Sequence, residues 1–362
     1  MKLLIIGNRG GTHIGQRLQS AAAAFGHTAA LLDFAAAMAA PRWLRRFNWH
    51  LRDHRPTQLD WFSRFVVETA RAFQPDLLLA TGIAPLTHTA ISNLNLLGIT
   101  TANYLTDDPW NPAHRARWFL RALPFYSAVF SPRRANLADL AHAGCPAVHY
   151  LPFAYDPALH YSQSPSPGNA GFASDVLFIG AADPDRLPYT RALIAAGLDL
   201  LLFGHGWQRD PLTRRCHCGY ADVPTARRAT AAAKISLCLV RRANRDGHTM
   251  RTFEAAAMGA CLLAEDTQEH REILGDQGDT AVFFQSIPEM IQRAKSLLLH
   301  PDERRSLGAA VHARLTRPGN TYADRLQSIL QLCRMHPAAP GYNFNRNATQ
   351  DRDCRSRPLS RV

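Results

Sequence analysis

The residues best suited to chemistry stand in one run: Asp246-Gly247-His248-Thr249-Met250-Arg251-Thr252-Phe253-Glu254-Ala255-Ala256-Ala257-Met258-Gly259-Ala260. The run falls between a strand expected to end near Val240 and a helix expected to begin near Thr249. Thr249 suits the N-cap. The free N–H groups of a first helical turn, with the helix dipole, suit a diphosphate. Arg251 can add charge-assisted bonds to the same phosphates. Glu254 lies one turn further on, where a carboxylate can accept from both hydroxyls of a ribose. The plainer alternative for Glu254 is a solvated helix residue, which its apolar flanks disfavour.

A second loop, Gly7-Asn8-Arg9-Gly10-Gly11-Thr12-His13, follows the first expected strand and opens a helix. Gly10 and Gly11 let a backbone approach an anion at a helix N-terminus. A tight strand-to-helix turn explains the same residues. The loop is not G-x-G-x-x-G, and no acid stands at the expected ribose position, so NAD binding is weakly supported. Asp107 and Asp108 follow another strand. Paired carboxylates can hold one raised pKa and act as a base or bind acceptor hydroxyls; the alternative is a helix cap ahead of Pro109. His13 and His88 also follow strands and can touch a sugar, although a lone His is more often structural. Asp183-Pro184-Asp185 has the D-x-D form of a metal motif, but a turn is the better reading. Cys216-His217-Cys218 lacks a second ligand pair at zinc spacing and reads as a turn before Gly219.

These residues need a scaffold that brings loops to one edge. Short β-type runs alternate with helical patterns: strands at 2–6, 28–32, 77–80, 99–105 and 127–131, with helices at 14–25 and 58–73. On the second helix Trp61, Phe65, Thr69 and Ala72 share a face, with Phe62, Val66 and Phe73 beside them. Pro152, Pro157, Pro165 and Pro167 mark a connection over 152–174. The alternation restarts with strands at 176–179, 198–203, 235–240, 260–264 and 280–284. Helices are expected at 187–197, 250–258, 268–274, 288–299 and 302–316, and a last one after Pro318-Gly319-Asn320. The pattern predicts two doubly wound α/β domains with ligands beyond the carboxyl ends of the strands, in the cleft between them.

The chain has 362 residues, 46% hydrophobic and 19% charged, enough apolar content for sizeable cores. The formal net charge is +12, and residues 333–362 carry six Arg against two Asp. That balance fits phosphorylated small molecules and a weak peripheral contact with an anionic membrane. Nucleic acid is not expected, because the Arg residues are scattered without interleaved aromatics. Seven Cys at irregular spacing argue for reduced thiols and a cytoplasmic protein. Leu3–Ile6 is too short for a signal core, and Pro, Asn and Thr within 77–106 argue against a membrane span. From about 336 onward Pro, Asn, Arg and Ser predict a disordered basic tail.

The run from Asp246 resembles the acid-x7-acid element of retaining glycosyltransferases of GT-B architecture, in which E-G-F-G-L-V-L-L-E precedes A-M-A-C-G. Asp246 falls on the first Glu, Gly247 on the Gly and Glu254 on the second Glu, with Met258-Gly259 near the end. A narrower resemblance is to the CgeB/YkvP-like glycosyltransferases. Asp175-Val176-Leu177-Phe178-Ile179-Gly180, Phe203-Gly204-His205-Gly206-Trp207 and Lys234-Ile235-Ser236-Leu237 carry it. So do Met250-Arg251-Thr252-Phe253-Glu254, Glu265-Asp266-Thr267-Gln268-Glu269-His270, Val282-Phe283-Phe284 and Thr321-Tyr322-Ala323-Asp324-Arg325. Residues 1–150 match less distinctly, through Asp107-Asp108-Pro109 and Leu151-Pro152-Phe153.

The resemblance implies a GT-B fold: an acceptor-side Rossmann-like domain over 1–152, a linker at 153–174, and a nucleotide-sugar domain over 175–319. The final helix, about 320–334, is implied to cross back onto the first domain, ahead of the tail at 336–362. It implies that Glu254 binds the ribose and Asp246 the donor sugar. Gly247, His248, Thr249, Met250 and Arg251 hold the diphosphate, with Gly180 and Gly204 at the donor edge. Arg186 follows the strand ending at Gly180, where the broader family places a basic diphosphate ligand; a surface arginine is the alternative. The family's other basic position falls on Ala181, so the clamp is expected to be either depleted or rebuilt by Arg251. Asp246, Asp107, Asp108 and His13 are the catalytic candidates.

The implied activity is hexosyl transfer from a nucleotide-sugar, a UDP-sugar by expectation, to an unidentified glycan, lipid or protein acceptor. Retention and a place in cell-surface or spore-type glycan synthesis follow from the resemblance alone. No metal or other cofactor is expected. The alternatives are a catalytically inactive nucleotide- or sugar-binding protein of the same fold, and a dinucleotide-dependent oxidoreductase, which the missing fingerprint disfavours.

Overall fold

The computed structural model describes residues 1–10, 13–164 and 171–335. Gly11 and the basic tail lie outside them. The first sheet contains β1 (Lys2–Gly7), β2 (Thr28–Asp33), β3 (Leu77–Thr81), β4 (Thr100–Tyr104), β5 (Ala128–Ser131) and β6 (Val148–Tyr150). The second contains β7 (Ser174–Ile179), β8 (Leu200–Phe203), β9 (Ala233–Cys238), β10 (Leu262–Glu265) and β11 (Ala281–Phe284). Around the first lie α1 (Ile14–Ala24), α2 (Arg42–Leu51), α3 (Leu59–Phe73), α4 (His88–Leu96), α5 (Arg117–Ala122) and α6 (Ala135–His142). With the second come α7 (Leu187–Ala195), α8 (Val223–Ala232), α9 (Met250–Ala257), α10 (Gln268–Leu274), α11 (Ile287–Leu299) and α12 (Pro301–Leu315). The last described helix is α13 (Tyr322–Met335).

Every strand pairing is parallel. The orders are β2-β1-β3-β4-β5-β6 and β8-β7-β9-β10-β11, so each sheet reverses direction of growth beside its first strand. The switch points lie between β1 and β3 and between β7 and β9, where open α/β sheets leave a crevice for ligands. The chain thus forms two Rossmann-like α/β domains.

Burial on both faces explains the unbroken apolar runs. In β1, Leu3 and Ile5 pack toward α1 and α13, while Leu4 and Ile6 pack toward α3 and α4. This is the two-residue period of a strand feeding two separate cores. Leu326, Ile329 and Leu330 of α13 share the core of Ile14 and Leu18 on α1, so the last helix returns to the first domain. Arg325 clamps that return by donating to the carbonyls of Pro152 and Phe153.

Six elements had no named counterpart in the pattern reading: β6, α2, α4, α5, α6 and α8. β6 is only three residues long, and α8 is rich in Ala and Arg without an apolar stripe. On α2 the large apolar side chains face outward, and Asn48 is the helix's buried residue. The face of α3 also differs from the simplest expectation. Phe62, Val66, Val67 and Ala70 are buried, whereas Trp61 and Phe65 stack on each other at the surface.

Candidate functional site

The edge of the second domain is built where β7, β9 and β10 end. Thr249 caps α9, and its N–H donates to Thr252 Oγ1 at 3.2 Å. The first turn, Met250 and Arg251, therefore opens at the β7/β9 switch point with its dipole directed outward. Glu254 is 2% exposed, which excludes the solvated-residue reading. One of its carboxylate oxygens pairs with Arg251 and the other stands 3.5 Å from His160 Nε2. His160 Nδ1 accepts from the Asp156 N–H, so the ring proton sits on Nε2 and faces Glu254. Burial holds the His160 pKa below its ordinary value, with Glu254 acting against that shift. His160 lay in the expected linker, where nothing in its spacing marked it.

His248 is buried and fully served. Its Nε2 accepts from the Phe153 N–H at 3.2 Å, which leaves the proton on Nδ1, 2.6 Å from Glu269 Oε2. It therefore orients the loop. Gly247 lies so close to Glu269 that a Cβ there would overlap the carboxyl group. Glu269 also accepts from the Arg134 N–H at 3.0 Å, tying α10 to the first domain.

Arg186 is buried, which overturns the surface-arginine alternative. Its guanidinium donates to the carbonyls of Ala181 and Leu239 at 3.2 and 3.1 Å. It braces the ends of β7 and β9, and burial lowers its pKa. Arg251 and Arg241 are partly exposed cations at this edge. Arg241 lies 3.8 Å from both Asp107 and Asp183. Asp183 caps the Arg186 N–H at 2.9 Å, so the D-x-D run is a turn. No His, Cys, Asp or Glu group among the described residues is arranged to hold a metal ion. Gly180 and Gly204 touch backbone to backbone. Gly204 sits at φ +127°, and a Cβ on it would run into the Gly180 carbonyl oxygen.

The edge of the first domain holds a cavity of about 410 Å³ beyond β1, β3 and β4. His13, Asp107, His114, Trp49 and Trp118 are among its walls. Gly10 sits at φ +121°, and its carbonyl accepts from the His13 N–H at 3.2 Å. His88 packs against Phe125 instead. The two neighbouring aspartates diverge. Asp107 stays partly exposed and accepts from Asn244 Nδ2 at 3.1 Å. Asp108 is buried, caps the Trp110 N–H, and takes two bonds from Arg245 at 2.5 and 3.1 Å.

The loop 241–246 carries the two edges together. Asn244 bonds Asn111 and Asp107, Arg245 bonds Asp108 and Asp139, and Asp246 pairs with Arg133. Arg133 and Asp246 are only 2% and 6% exposed in their side chains. Burial raises the Asp246 pKa, with Arg133 opposing the shift. The domains are therefore closed on each other. The hollow beside Arg251 and Ala255 measures about 20 Å³, room for roughly one water. Arg133, Asn244, Arg245 and His160 were absent from the sequence reading. Among the described residues the cysteines are free, and no helix is long and apolar enough to cross a membrane.

Residues 187–331 match a protein family described as glycosyl transferase-like. No curated protein matches the chain. Among solved structures, a sucrose-phosphate synthase from Thermosynechococcus elongatus superposes with TM-score 0.66 at 14% identity, covering 92% of this chain and 98% of that one. Anabaena Alr3699/HepE, solved with UDP and glucose, gives TM-score 0.62 at 16% identity over 92% of this chain and 100% of that one. A trehalose-6-phosphate synthase studied for glycosyl transfer with retention gives 0.62 at 11%, over 92% and 99%. At these identities the likeness establishes the fold, which is GT-B.

Proposed function

We propose that this protein is a glycosyltransferase that moves a sugar, as a hexosyl unit, from a UDP-sugar to an acceptor hydroxyl. One observation carries the reading. The glycosyl transferase-like match over 187–331 includes α9, whose N-terminus presents Arg251 and buried Glu254 at the β7/β9 switch point. UDP is favoured as the leaving group because HepE, of the same fold, is solved with UDP and UDP-glucose.

Donor entry is proposed to part the domains, because Arg133–Asp246 and Arg245–Asp108 hold loop 241–246 against the first domain. The ribose hydroxyls then donate to Glu254, and Arg251 swings from Glu254 to the diphosphate. Arg241 takes the place of the buried Arg186 as the second cation. Reclosure brings the anomeric carbon to the 410 Å³ cavity. There the bond from that carbon to the diphosphate breaks as the acceptor oxygen bonds to it. The α9 N–H groups and the two arginines stabilise the departing charge, which is preorganised electrostatics. Asp107, with His13 beside the same cavity, is placed to accept the acceptor's proton. Asp108 is committed to Arg245. Asp246 reaches the sugar only by releasing Arg133. Retention of configuration is proposed by likeness to the trehalose-6-phosphate synthase, and no metal is assigned.

Calorimetric titration with UDP, GDP and CDP tests this reading, with Glu254→Gln as the variant. The expected result is selective UDP binding, weakened at least tenfold in a variant whose circular dichroism shows it folded at the assay temperature. Equal affinity in the variant removes the site assignment. UDP binding with no transfer to any acceptor supports the alternative, an inactive nucleotide-binding protein, for which the commitment of Asp246 to Arg133 speaks.

A further inference from the structure

Helix α2 is built the wrong way round for a helix of a soluble core. Trp43, Phe47 and Leu51 recur at four-residue spacing on one face, and they are 69%, 48% and 73% exposed. A packed helix turns such a stripe inward. Beside the stripe stand Arg42, Arg45, Arg46 and Arg52, none with an ion-pair partner among the described residues. Residues 34–52 contain four Arg and no Asp or Glu. The nearest acids are already occupied: Asp33 caps the Ala35 N–H, Asp53 holds Arg117, and Asp60 holds Arg55. The next helix adds the exposed, stacked pair Trp61 and Phe65.

We propose that α2 docks this protein on an anionic phospholipid surface, with Trp43, Phe47 and Leu51 in the headgroup–acyl boundary and the four arginines on the lipid phosphates. A short helix with aromatic and Leu residues on one side and arginines around it has the makeup of an interfacial helix. Each arginine near an anionic surface strengthens binding about fivefold at moderate salt. The chain's own C-terminal stretch is no match for this face, because it too is basic, with six Arg against two Asp over 333–362. Trp49, on the same helix, and His54 line the acceptor-side cavity, so docking brings the cavity beside the headgroups. That last consequence rests on the glycosyltransferase reading; the docking itself does not.

The experiment is sedimentation of the full chain with vesicles of phosphatidylcholine alone, or with 30% phosphatidylglycerol, at low and high salt. Expected is binding to the anionic vesicles only, weakened by salt, and reduced at least tenfold in the triple variant Trp43→Ser, Phe47→Ser, Leu51→Ser. These side chains bury little, so the variant keeps the melting temperature and UDP affinity of the parent. Absence of anionic-vesicle binding, or unchanged binding by the triple variant, overturns the proposal. So does light scattering that shows the variant turning a dimer into a monomer, which assigns the face to a second copy. Vesicle binding is read without nucleotide, so it stands or falls apart from the UDP titration.

Discussion

Arg133→Met isolates what holds the two domains shut. The arginine is 2% exposed and pairs with Asp246, 6% exposed, while its second nitrogen donates to the Thr106 carbonyl at 2.9 Å. Methionine keeps much of the volume and removes the charge. The buried Asp246 carboxylate is then stranded, and breaking one side of a buried pair costs about 3–5 kcal/mol. The lower end applies, because Asp246 can respond by taking a proton. Its pKa is already raised by burial and loses the guanidinium that opposes the rise. A folded-state carboxyl pKa above the unfolded value means that stability falls as pH rises through that window and returns on acidification. Each pH unit within it is worth about 1.4 kcal/mol. At pH 7.5 the variant is expected to melt about 6 °C or more below the parent, and the gap is expected to narrow at pH 5.5. Adding Asp246→Asn to Arg133→Met removes the stranded charge and restores most of the loss at pH 7.5. Differential scanning calorimetry of the four proteins at both pH values decides the matter. A loss under about 2 °C at pH 7.5, or one independent of pH, refutes the claim that this pair is a buried interdomain latch.

Two further perturbations probe the second domain. The His270 ring is buried, with a pKa lowered to about 4, chiefly by burial, and it contacts Thr252 Oγ1 and the Glu265 carbonyl. The unfolded chain takes up that proton first, so acidification from about pH 6.5 to 4 removes roughly 3 kcal/mol of stability. His270→Gln is expected to flatten that part of the pH–stability curve; an unchanged slope by urea melts assigns the loss to other groups. Gly204→Ala puts a Cβ against the Gly180 carbonyl at φ +127° and is expected to cost about 2 kcal/mol. A melting temperature equal to the parent's shows that the β7 and β8 loops are free to separate.

The fold was legible because a doubly wound domain writes its strands as apolar runs and its helices as apolar stripes. Leu3–Ile6 and Leu77–Ala80 are buried on both faces and read directly as strands. Legibility failed where the stripe was missing or pointed the other way. On α8 small Ala residues make the contact, so no large apolar period exists to be seen. On α2 the large period exists but serves the outside, and a rule that assumes apolar means inward has no place for it. Glu254, Arg251 and Thr249 were legible as a set because one helical turn holds them.

Their partners were not, because chain distance hides them. Arg133 meets Asp246 across 113 residues, and Asp108 meets Arg245 across 137. These contacts also change what the acidic residues mean. Asp108 and Asp246 read as chemical groups from their place at strand ends, yet in the closed molecule both neutralise arginines from the opposite domain. A nucleotide-sugar entering this cleft brings two phosphate charges to a place where arginines already have carboxylates. Binding at Arg251 and Arg241 would then be an exchange of partners that frees Glu254 for the ribose and Asp107 for the acceptor. If the latch must open before the donor enters, a variant that weakens the latch alone should bind UDP more tightly, not less, as long as Glu254 is intact. Titration of UDP into Arg245→Ala reads this directly, since Arg245 lies on the latch and not among the proposed donor ligands. An affinity at or below the parent's means that the latch and the donor site do not compete.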